Sequence, residues 1–228
     1  MSLYFTLLLL SVAVPILLSF DKRLQFYKQW KFVLPSIITV AAVYIAFDIY
    51  MTKLGVWGFN PVYLSGRFIF GLPIEEWLFF IVIAYASLFL HFSIVEYFPK
   101  AKVSVKWTQI ITVFLFILSI ALVYVYSDKM YTMYIFSTLA VALVIAYFDK
   151  SKTISAFYIT FLVILIPFLI VNGILTGSFI DGEVVWYNND ENLGIRFFTI
   201  PIEDFGYGFS LILFNLLLIS GLKTQFNK

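Results

Sequence analysis

Long apolar stretches separated by short polar segments run along almost the whole chain. Seven such stretches lie near residues 3–20, 32–50, 74–95, 107–126, 131–148, 154–175 and 202–222. A helix of roughly 17 to 23 apolar residues can cross a hydrocarbon core about 30 Å thick. The pattern therefore predicts an all-α integral membrane protein with seven transmembrane helices. No cationic region precedes the first stretch and no small-residue cleavage site follows it, so a retained helix is expected there and not a signal peptide.

The positive charges are divided unevenly between alternate loops, which predicts the orientation in the membrane. One side carries eleven of them: Lys22, Arg23, Lys28, Lys31, Lys100, Lys102, Lys106, Lys150, Lys152, Lys223 and Lys228. The other side carries four: Lys53, Arg67, Lys129 and Arg196. Because cytoplasmic loops carry the excess of lysine and arginine, we expect a multi-pass protein of the cell inner (cytoplasmic) membrane, with the N-terminus outside and the C-terminus in the cytoplasm.

The composition supports a membrane protein and excludes several kinds of site. Charged residues make up 12% of the chain, whereas soluble domains carry about 25%. Cysteine is absent, which excludes disulfides, a thiolate nucleophile and a cysteine-ligated metal. His91 is the single histidine and is expected to be structural, so no metal site is predicted. The net charge of +2 is spread over short loops, which indicates no nucleic-acid partner.

Three motifs occur twice at nearly constant spacing. Residues 20–22 (FDK) recur as 148–150, residues 56–67 (VWxxNxxxLxxR) recur as 185–196, and residues 73–77 (PIEEW) recur as 201–205 (PIEDF). The spacings are 128, 129 and 128, so a shift of one residue in the loop reconciles them. The pattern predicts two parallel three-helix repeats, residues 1–98 and 129–228, joined by a linker helix within residues 99–128. The two copies would be related by an axis along the membrane normal.

Two long loops, near residues 51–72 and 176–200, carry the repeated polar and aromatic residues. Loops of this length in a compact protein are usually functional or disordered, and their Trp, Tyr, Phe and Gly content argues against disorder. An interfacial aromatic belt explains the tryptophans singly but not the shared register with the polar positions. We therefore expect these residues to shape a pocket: Trp57, Asn60, Arg67, Trp186, Asn189 and Arg196.

Each long loop leads into a helix that begins with proline and two acids, Glu75 and Glu76 in one copy and Glu203 and Asp204 in the other. Carboxylates in the first turn of a helix complement its dipole, so ordinary capping is one explanation. Two copies beside aromatic residues favour a pair of buried sites instead, since ionisable groups in a membrane are costly and usually functional. Successive residues point about 100° apart, so one acid of each doublet faces the centre and the other can meet Arg67 or Arg196.

The paired PIEEW and PIEDF helix starts, the FDIY of residues 47–50 and the WGFN of residues 57–60 resemble the membrane-embedded lycopene cyclases. That family occurs as two small subunits or as one fused chain, and this chain resembles the fused form over nearly its whole length. The resemblance implies an enzyme of carotenoid biosynthesis that closes the linear end groups of lycopene into β-ionone rings. It is an isomerisation by acid–base chemistry, without net redox change or cofactor, on a carotene substrate within the lipid bilayer.

The resemblance also implies roles for individual residues. Glu75 and Glu203 are the first choices for proton transfer, because they hold the same place in both copies, and Glu76 and Asp204 are the second. Substrate-binding residues are expected at Asn60, Asn189, Trp57, Trp186, Arg67, Arg196, Asp48 and Tyr207. Tyr207 lies within one helical turn of Glu203 and Asp204, whereas Phe79 takes its place in the first copy.

Two other classes of membrane protein, and a purely structural role, fit parts of the pattern. A small-solute transporter would break helices near the midplane with Gly or Pro, and Pro15, Pro35 and Pro167 are candidates for such breaks. A retinal-binding seven-helix protein would carry a Schiff-base lysine in the middle of the last helix, and none lies between Ile202 and Ser220. A structural role predicts that amide replacements of Glu75 and Glu203 have no effect.

Overall fold

The computed structural model describes residues 2–149 and 152–226. Lys150 and Lys228, which were counted among the positive charges, lie outside the described residues. The described part of the chain contains seven α-helices: α1 Leu3–Leu18, α2 Trp30–Lys53, α3 Ile74–Tyr97, α4 Val105–Val125, α5 Met130–Phe148, α6 Thr153–Leu175 and α7 Ile202–Phe226. Each predicted stretch coincides with one helix, so the all-α prediction is confirmed.

Six of the described helices, α2 to α7, are long and apolar enough to cross a membrane. Helix α1 has 16 residues, so it is about 24 Å long and shorter than the others. It nevertheless runs beside α3 in the same direction over its whole length. Tyr4 contacts Glu76 at the start of α3, and Asp21 contacts Tyr97 at its end.

The apolar core lies between α2, α3, α5, α6 and α7. Fully buried side chains from these helices meet there, including Leu88, Leu143, Phe157 and Leu213. Helix α4 lies at the periphery against α5, with large apolar side chains exposed along its outer face. Exposed apolar residues on a helix of this length are what a lipid environment requires.

The two long loops form three short antiparallel strand pairs at one end of the bundle. The strands are β1 Trp57–Phe59, β2 Phe68–Ile69, β3 Leu72–Pro73, β4 Val185–Tyr187, β5 Arg196–Phe197 and β6 Ile200–Pro201. Strands β2 and β3 pair within the first loop, and β5 and β6 pair within the second. Strand β1 pairs with β4, which joins the two loops. We call this end of the bundle, where α3 and α7 begin, the acidic end.

Equivalent hydrogen bonds recur in the two loops at a constant spacing of 128 residues. Val62 N donates to the Asn60 side chain as Asp190 N donates to Asn188, and Ile74 N donates to Arg67 O as Ile202 N donates to Ile195 O. Left-handed backbone recurs at Phe70 and Phe198 in the same way. The one-residue shift predicted for the loop is absent from these contacts.

This register changes which loop residues correspond. Asn60 corresponds to Asn188 and not to Asn189, and Trp186 does not occupy the position of Trp57. Trp186 instead lies opposite Gly58 in the β1–β4 pair. Trp57 and Trp186 are the same residue type, but they do not occupy equivalent positions in the two loops. The backbone hydrogen bonds define which positions are equivalent.

Gly58 gives a test of this strand pairing. A Cβ at position 58 would lie 2.3 Å from the Trp186 ring, so Gly58→Ala is expected to destabilise the fold by about 1–3 kcal/mol through overpacking. Thermal unfolding of the purified protein would measure it. In a Trp186→Ala background the same change should cost much less, and an equal cost in both backgrounds would contradict the pairing.

Candidate active site

All four acids at the starts of α3 and α7 are withdrawn from the surface. Glu75 and Glu203 have exposed fractions of 0%, and Glu76 and Asp204 have 8% and 5%. Carboxylates that only cap a wet helix end would stay in contact with water. Burial therefore requires that each of these side chains has protein partners.

Glu75 and Glu203 bind the loops to the helix starts. In each, Oε1 accepts a hydrogen bond from a loop backbone N–H, Ser65 at 2.7 Å or Leu193 at 2.8 Å. The same oxygen accepts a second bond from a hydroxyl near the start of a neighbouring helix: Ser2 for Glu75 and Thr132 for Glu203, both at 2.7 Å. Their Oε2 atoms have no hydrogen-bond partner within the described part of the chain.

A cavity of about 660 Å³ extends from the acidic end into the bundle between α1, α3, α6 and α7. Of the described residues, the acids that line it are Asp48, Glu76 and Asp204. Glu75 and Glu203 are not among its lining residues. The structure thus separates each doublet: the second acid faces the cavity, and the first faces the loop.

Glu76 and Asp48 form a carboxyl pair on one wall of this cavity. The two carboxyl groups are close enough to interact electrostatically, and among the described residues Asp48 Oδ2 has no hydrogen-bond donor. The Tyr4 hydroxyl donates to Glu76 Oε2 at 2.6 Å, and the Trp57 indole N–H donates to Asp48 Oδ1 at 2.6 Å. Thr52 also donates to Asp48 Oδ1, at 3.3 Å. Two carboxyl groups close together in an apolar setting resist being charged at the same time, because adjacent carboxylates repel each other.

Asp204 has a different environment, since three side chains donate hydrogen bonds to it. Tyr131 donates to Oδ1, while Asn172 at 2.7 Å and Tyr187 at 3.1 Å donate to Oδ2. Burial, together with the negative charge of Asp204, holds the pKa of Tyr187 well above its usual value, so its hydroxyl stays protonated and donates. Three donors stabilise a carboxylate. Among the three acids that line the cavity, Asp204 thus has the donors that favour the carboxylate form.

Aromatic rings surround the acids at this end of the cavity. Trp57 and Tyr131 meet edge to face with ring centroids 5.1 Å apart, and Tyr131 stacks on Tyr187 at 5.4 Å. Tyr207 meets Tyr44 edge to face at 5.2 Å. Aromatic faces attract a cation by about 0.5–2 kcal/mol, and more where water is excluded. The site can therefore tolerate a positive charge on an apolar ligand.

The predicted pairing of the arginines with the acids is not observed. Arg67 is exposed, and Arg196 donates to Thr199 O at 2.7 Å and to Asn189 Oδ1 at 2.9 Å. Within residues 2–149 and 152–226, neither arginine forms an ion pair. The Arg196 guanidinium lies 5.8 Å from the centre of the Tyr187 ring, so it reaches a residue that binds Asp204 but not the acid itself.

Of the other loop residues that were predicted to bind substrate, Trp57 lies in the cavity wall and the rest do not. Trp57 lines the cavity and binds Asp48, whereas Trp186 is 38% exposed against Gly58. The Asn60 side chain accepts from Val62 N and so stabilises its own turn. Asn189 binds Arg196 as described above. Neither asparagine lines the cavity.

Tyr207 lies in the cavity wall but does not pair with the acids of its own helix. Among the described residues it donates no hydrogen bond to Glu203 or Asp204, and its ring lies against Tyr44 and Phe80. Helical spacing puts Tyr207 within reach of both acids, but its ring packs in another direction. The Tyr207 ring turns toward α2, whereas Asp204 turns toward α6.

Four site residues were missed by the sequence argument: Tyr4, Tyr131, Asn172 and Tyr187. Asn172 had a signal, since it is a polar side chain in an otherwise apolar stretch. The tyrosines had none beyond their place near helix starts or in a loop. His91, the single histidine, is buried away from the acids, with Nδ1 2.7 Å from Thr160 Oγ1. Among the described residues no group of three metal-ligating side chains occurs.

Fold and site together define a multi-pass helical membrane protein with an apolar cavity capped by acids. The lycopene cyclase family model matches residues 1–98 and 128–222 of the chain. These residues are most of its length, and the chain belongs to the lycopene cyclase family. Membership indicates a carotenoid-cyclising enzyme with a carotenoid substrate. No match was found among curated proteins or among solved structures.

Proposed function

We propose that the protein is a lycopene β-cyclase, which closes the linear end groups of lycopene into β-ionone rings by proton transfer. The observation that carries the proposal is the cavity itself. It combines a carboxyl pair, a separate carboxylate with three donors, and an otherwise apolar and aromatic wall. That combination provides an acid, a base and a dry pocket for a hydrocarbon.

The Asp48–Glu76 pair is the proton donor in this proposal. Its shared proton adds to the terminal double bond of the end group and leaves a tertiary carbocation. The hydrogen bonds from Tyr4 and Trp57 hold both carboxyl groups in place and stabilise the negative charge that remains after transfer. Positioned proton transfer of this kind contributes about 10²- to 10⁴-fold to a rate.

Asp204 is the base. The carbocation is attacked by a double bond within the same end group, which closes the ring and moves the positive charge into it. Loss of a neighbouring proton to Asp204 forms the ring double bond. One proton is added and one removed, so substrate and product have the same formula. Asp204 and Glu76 are close enough to interact electrostatically, and the proton then returns to the pair.

We assign Glu75 and Glu203 a positioning role. Their equivalent places in the two copies had made them the first choices for proton transfer. They fix the loops over the helix starts through Ser65 and Leu193. The loops in turn place Trp57 and Tyr187 against the cavity acids. The two glutamates are thus equivalent because they make the same structural contact in each copy. Their neighbours Glu76 and Asp204, which differ in residue type and in hydrogen-bond partners, carry out the proton transfer.

We further propose the arrangement expected from the sequence. Residues 1–98 and 129–228 are parallel repeats, and residues 99–128 contain the linker helix. The hydrogen bonds repeated at 128 residues and the antiparallel β1–β4 contact support a pseudo-twofold axis. The uneven distribution of lysine and arginine supports an inner-membrane protein with the N-terminus and the acidic end outside.

Expression in a lycopene-accumulating bacterial host tests the function. Chromatography of the pigments is expected to show lycopene converted to products with β-ionone rings. Unchanged lycopene, with the protein present in the membrane, would contradict the proposed activity. Products with ε rings would retain cyclisation but contradict the β assignment.

A further inference from the structure

The cavity is a long slot and not a compact pocket. On α3 its wall runs from Glu76 to Leu90, which is about 21 Å of helix. On α6 it runs from Leu175 to Phe161, and on α1 from Tyr4 to Pro15. The slot therefore extends from the acidic end along the helix axes through much of the bundle.

The polar groups of the slot are confined to one end. Asp48, Glu76 and Asp204, with their donors, lie at the acidic end. Apart from these groups, the described lining residues are apolar except for Ser11, Ser87 and Tyr207, and the Ser11 hydroxyl bonds to Leu7 O of its own helix. This gradient fits a rod-shaped hydrocarbon with one reactive end at the acids and the remainder in the apolar part.

The slot has a side opening between α1 and α6. Leu10 and Val14 of α1 line the slot and yet have exposed fractions of 66% and 58%. Ile166 and Ile170 of α6 also line it, with exposed fractions of 62% and 60%. Residues four apart share one face of a helix, so two apolar edges frame the opening. At this depth the surrounding medium is lipid hydrocarbon.

We propose that a linear polyene enters from the bilayer through this opening, which we call the lateral mouth, and binds with one end group at the acids. The mouth consists of Leu10, Val14, Ile166 and Ile170. This proposal rests on the proposed cyclase function for the identity of the occupant. An apolar substrate then never has to cross water, and the acids stay dry while the slot is filled.

End-on binding means that one end group reacts in each binding event. The acids lie at a single end of the slot, so the second end group of a symmetrical carotene has no acid beside it. Forming a second ring requires the monocyclic product to leave through the mouth and rebind in the opposite direction. A free monocyclic intermediate, able to exchange with lycopene in the membrane, is therefore expected during bicyclisation.

Photolabelling in lipid vesicles tests the mouth without using turnover. An apolar aryl diazirine dissolved in the bilayer should label slot residues such as Ser11 and Ser87, and lycopene should reduce that labelling several-fold. The exposed Ile117 on the outer face of α4 serves as the internal control, with labelling that lycopene does not change. Label at Ile117 but not in the slot, or slot labelling unaffected by lycopene, would overturn the proposal.

Tryptophan substitutions at the lateral mouth test its role in turnover. Val14→Trp and Ile166→Trp should slow cyclisation several-fold at normal protein levels, while Ile117→Trp should not. The two proposals fail separately. Cyclisation that continues unchanged in both mouth variants overturns the mouth and leaves the cyclase function intact. Slot labelling blocked by lycopene in a protein that forms no rings supports the mouth and overturns the cyclase function.

Discussion

Replacing Glu76 by glutamine is expected to lower the rate of ring formation by about 10²- to 10⁴-fold, the usual contribution of a positioned acid. The amide keeps the size of the side chain and can still accept the hydrogen bond from Tyr4. It cannot share a proton with Asp48 or pass one to a double bond. Chromatography of pigments from membranes with matched amounts of protein measures the loss.

Glu75→Gln is the matched control for this experiment. Glu75 is the neighbour of Glu76 on the same helix turn, is equally withdrawn from the surface and carries the same side chain. Its Oε1 keeps the bonds from Ser65 and Ser2 when the other oxygen becomes an amide nitrogen. Cyclisation should therefore stay within a few-fold of the unmodified protein. An inactive Glu75→Gln beside an active Glu76→Gln would contradict our assignment.

Asp204→Asn is expected to have the second large effect. It removes the base and the negative charge beside the developing carbocation, and loss of a comparable electrostatic stabiliser costs about 10²- to 10³-fold in kcat. It also leaves three donors, on Tyr131, Asn172 and Tyr187, around a group that is itself partly a donor. A loss of folding stability of about 1–3 kcal/mol should accompany the loss of activity.

The stability effect needs its own control, since a poorly folded variant would also be inactive. Asn172→Ala removes one donor to Asp204 and keeps the carboxylate, so it should share the loss of stability but retain more activity. Asp190 is exposed in the loop that precedes α7, so Asp190→Asn should change neither the folding stability nor the activity. Equal activity in Asp204→Asn and Asp190→Asn would show that Asp204 takes no part in the reaction.

The helices were predictable because the hydrocarbon core imposes a single requirement, a long apolar stretch, that can be counted along the chain. The loop register was not. Trp57 and Trp186 share a residue type, but the β1–β4 pairing places Trp186 opposite Gly58. Only the backbone hydrogen bonds reveal that the spacing stays at 128 through the loops.

The acids of the site were predictable as a set, because four carboxylates beside hydrocarbon are costly without a role. Their ranking was not. Helical geometry requires that Glu75 and Glu76 point in different directions, but the position of α1 decides which one meets the cavity. Tyr4 of α1 binds Glu76, and Asn172 of α6 binds Asp204. Both contacts join distant parts of the chain and have no local sequence pattern.

The central claim is that Asp48 and Glu76 hold one proton between them in the cavity. Infrared difference spectroscopy of the protein in lipid vesicles tests it directly, because a protonated carboxyl group has a carbonyl band separate from that of a carboxylate. We predict one such band at neutral pH that shifts in deuterated water and disappears in both Asp48→Asn and Glu76→Gln, but persists in Glu75→Gln. Absence of the band in the unmodified protein, or its persistence in both Asp48→Asn and Glu76→Gln, would contradict the account.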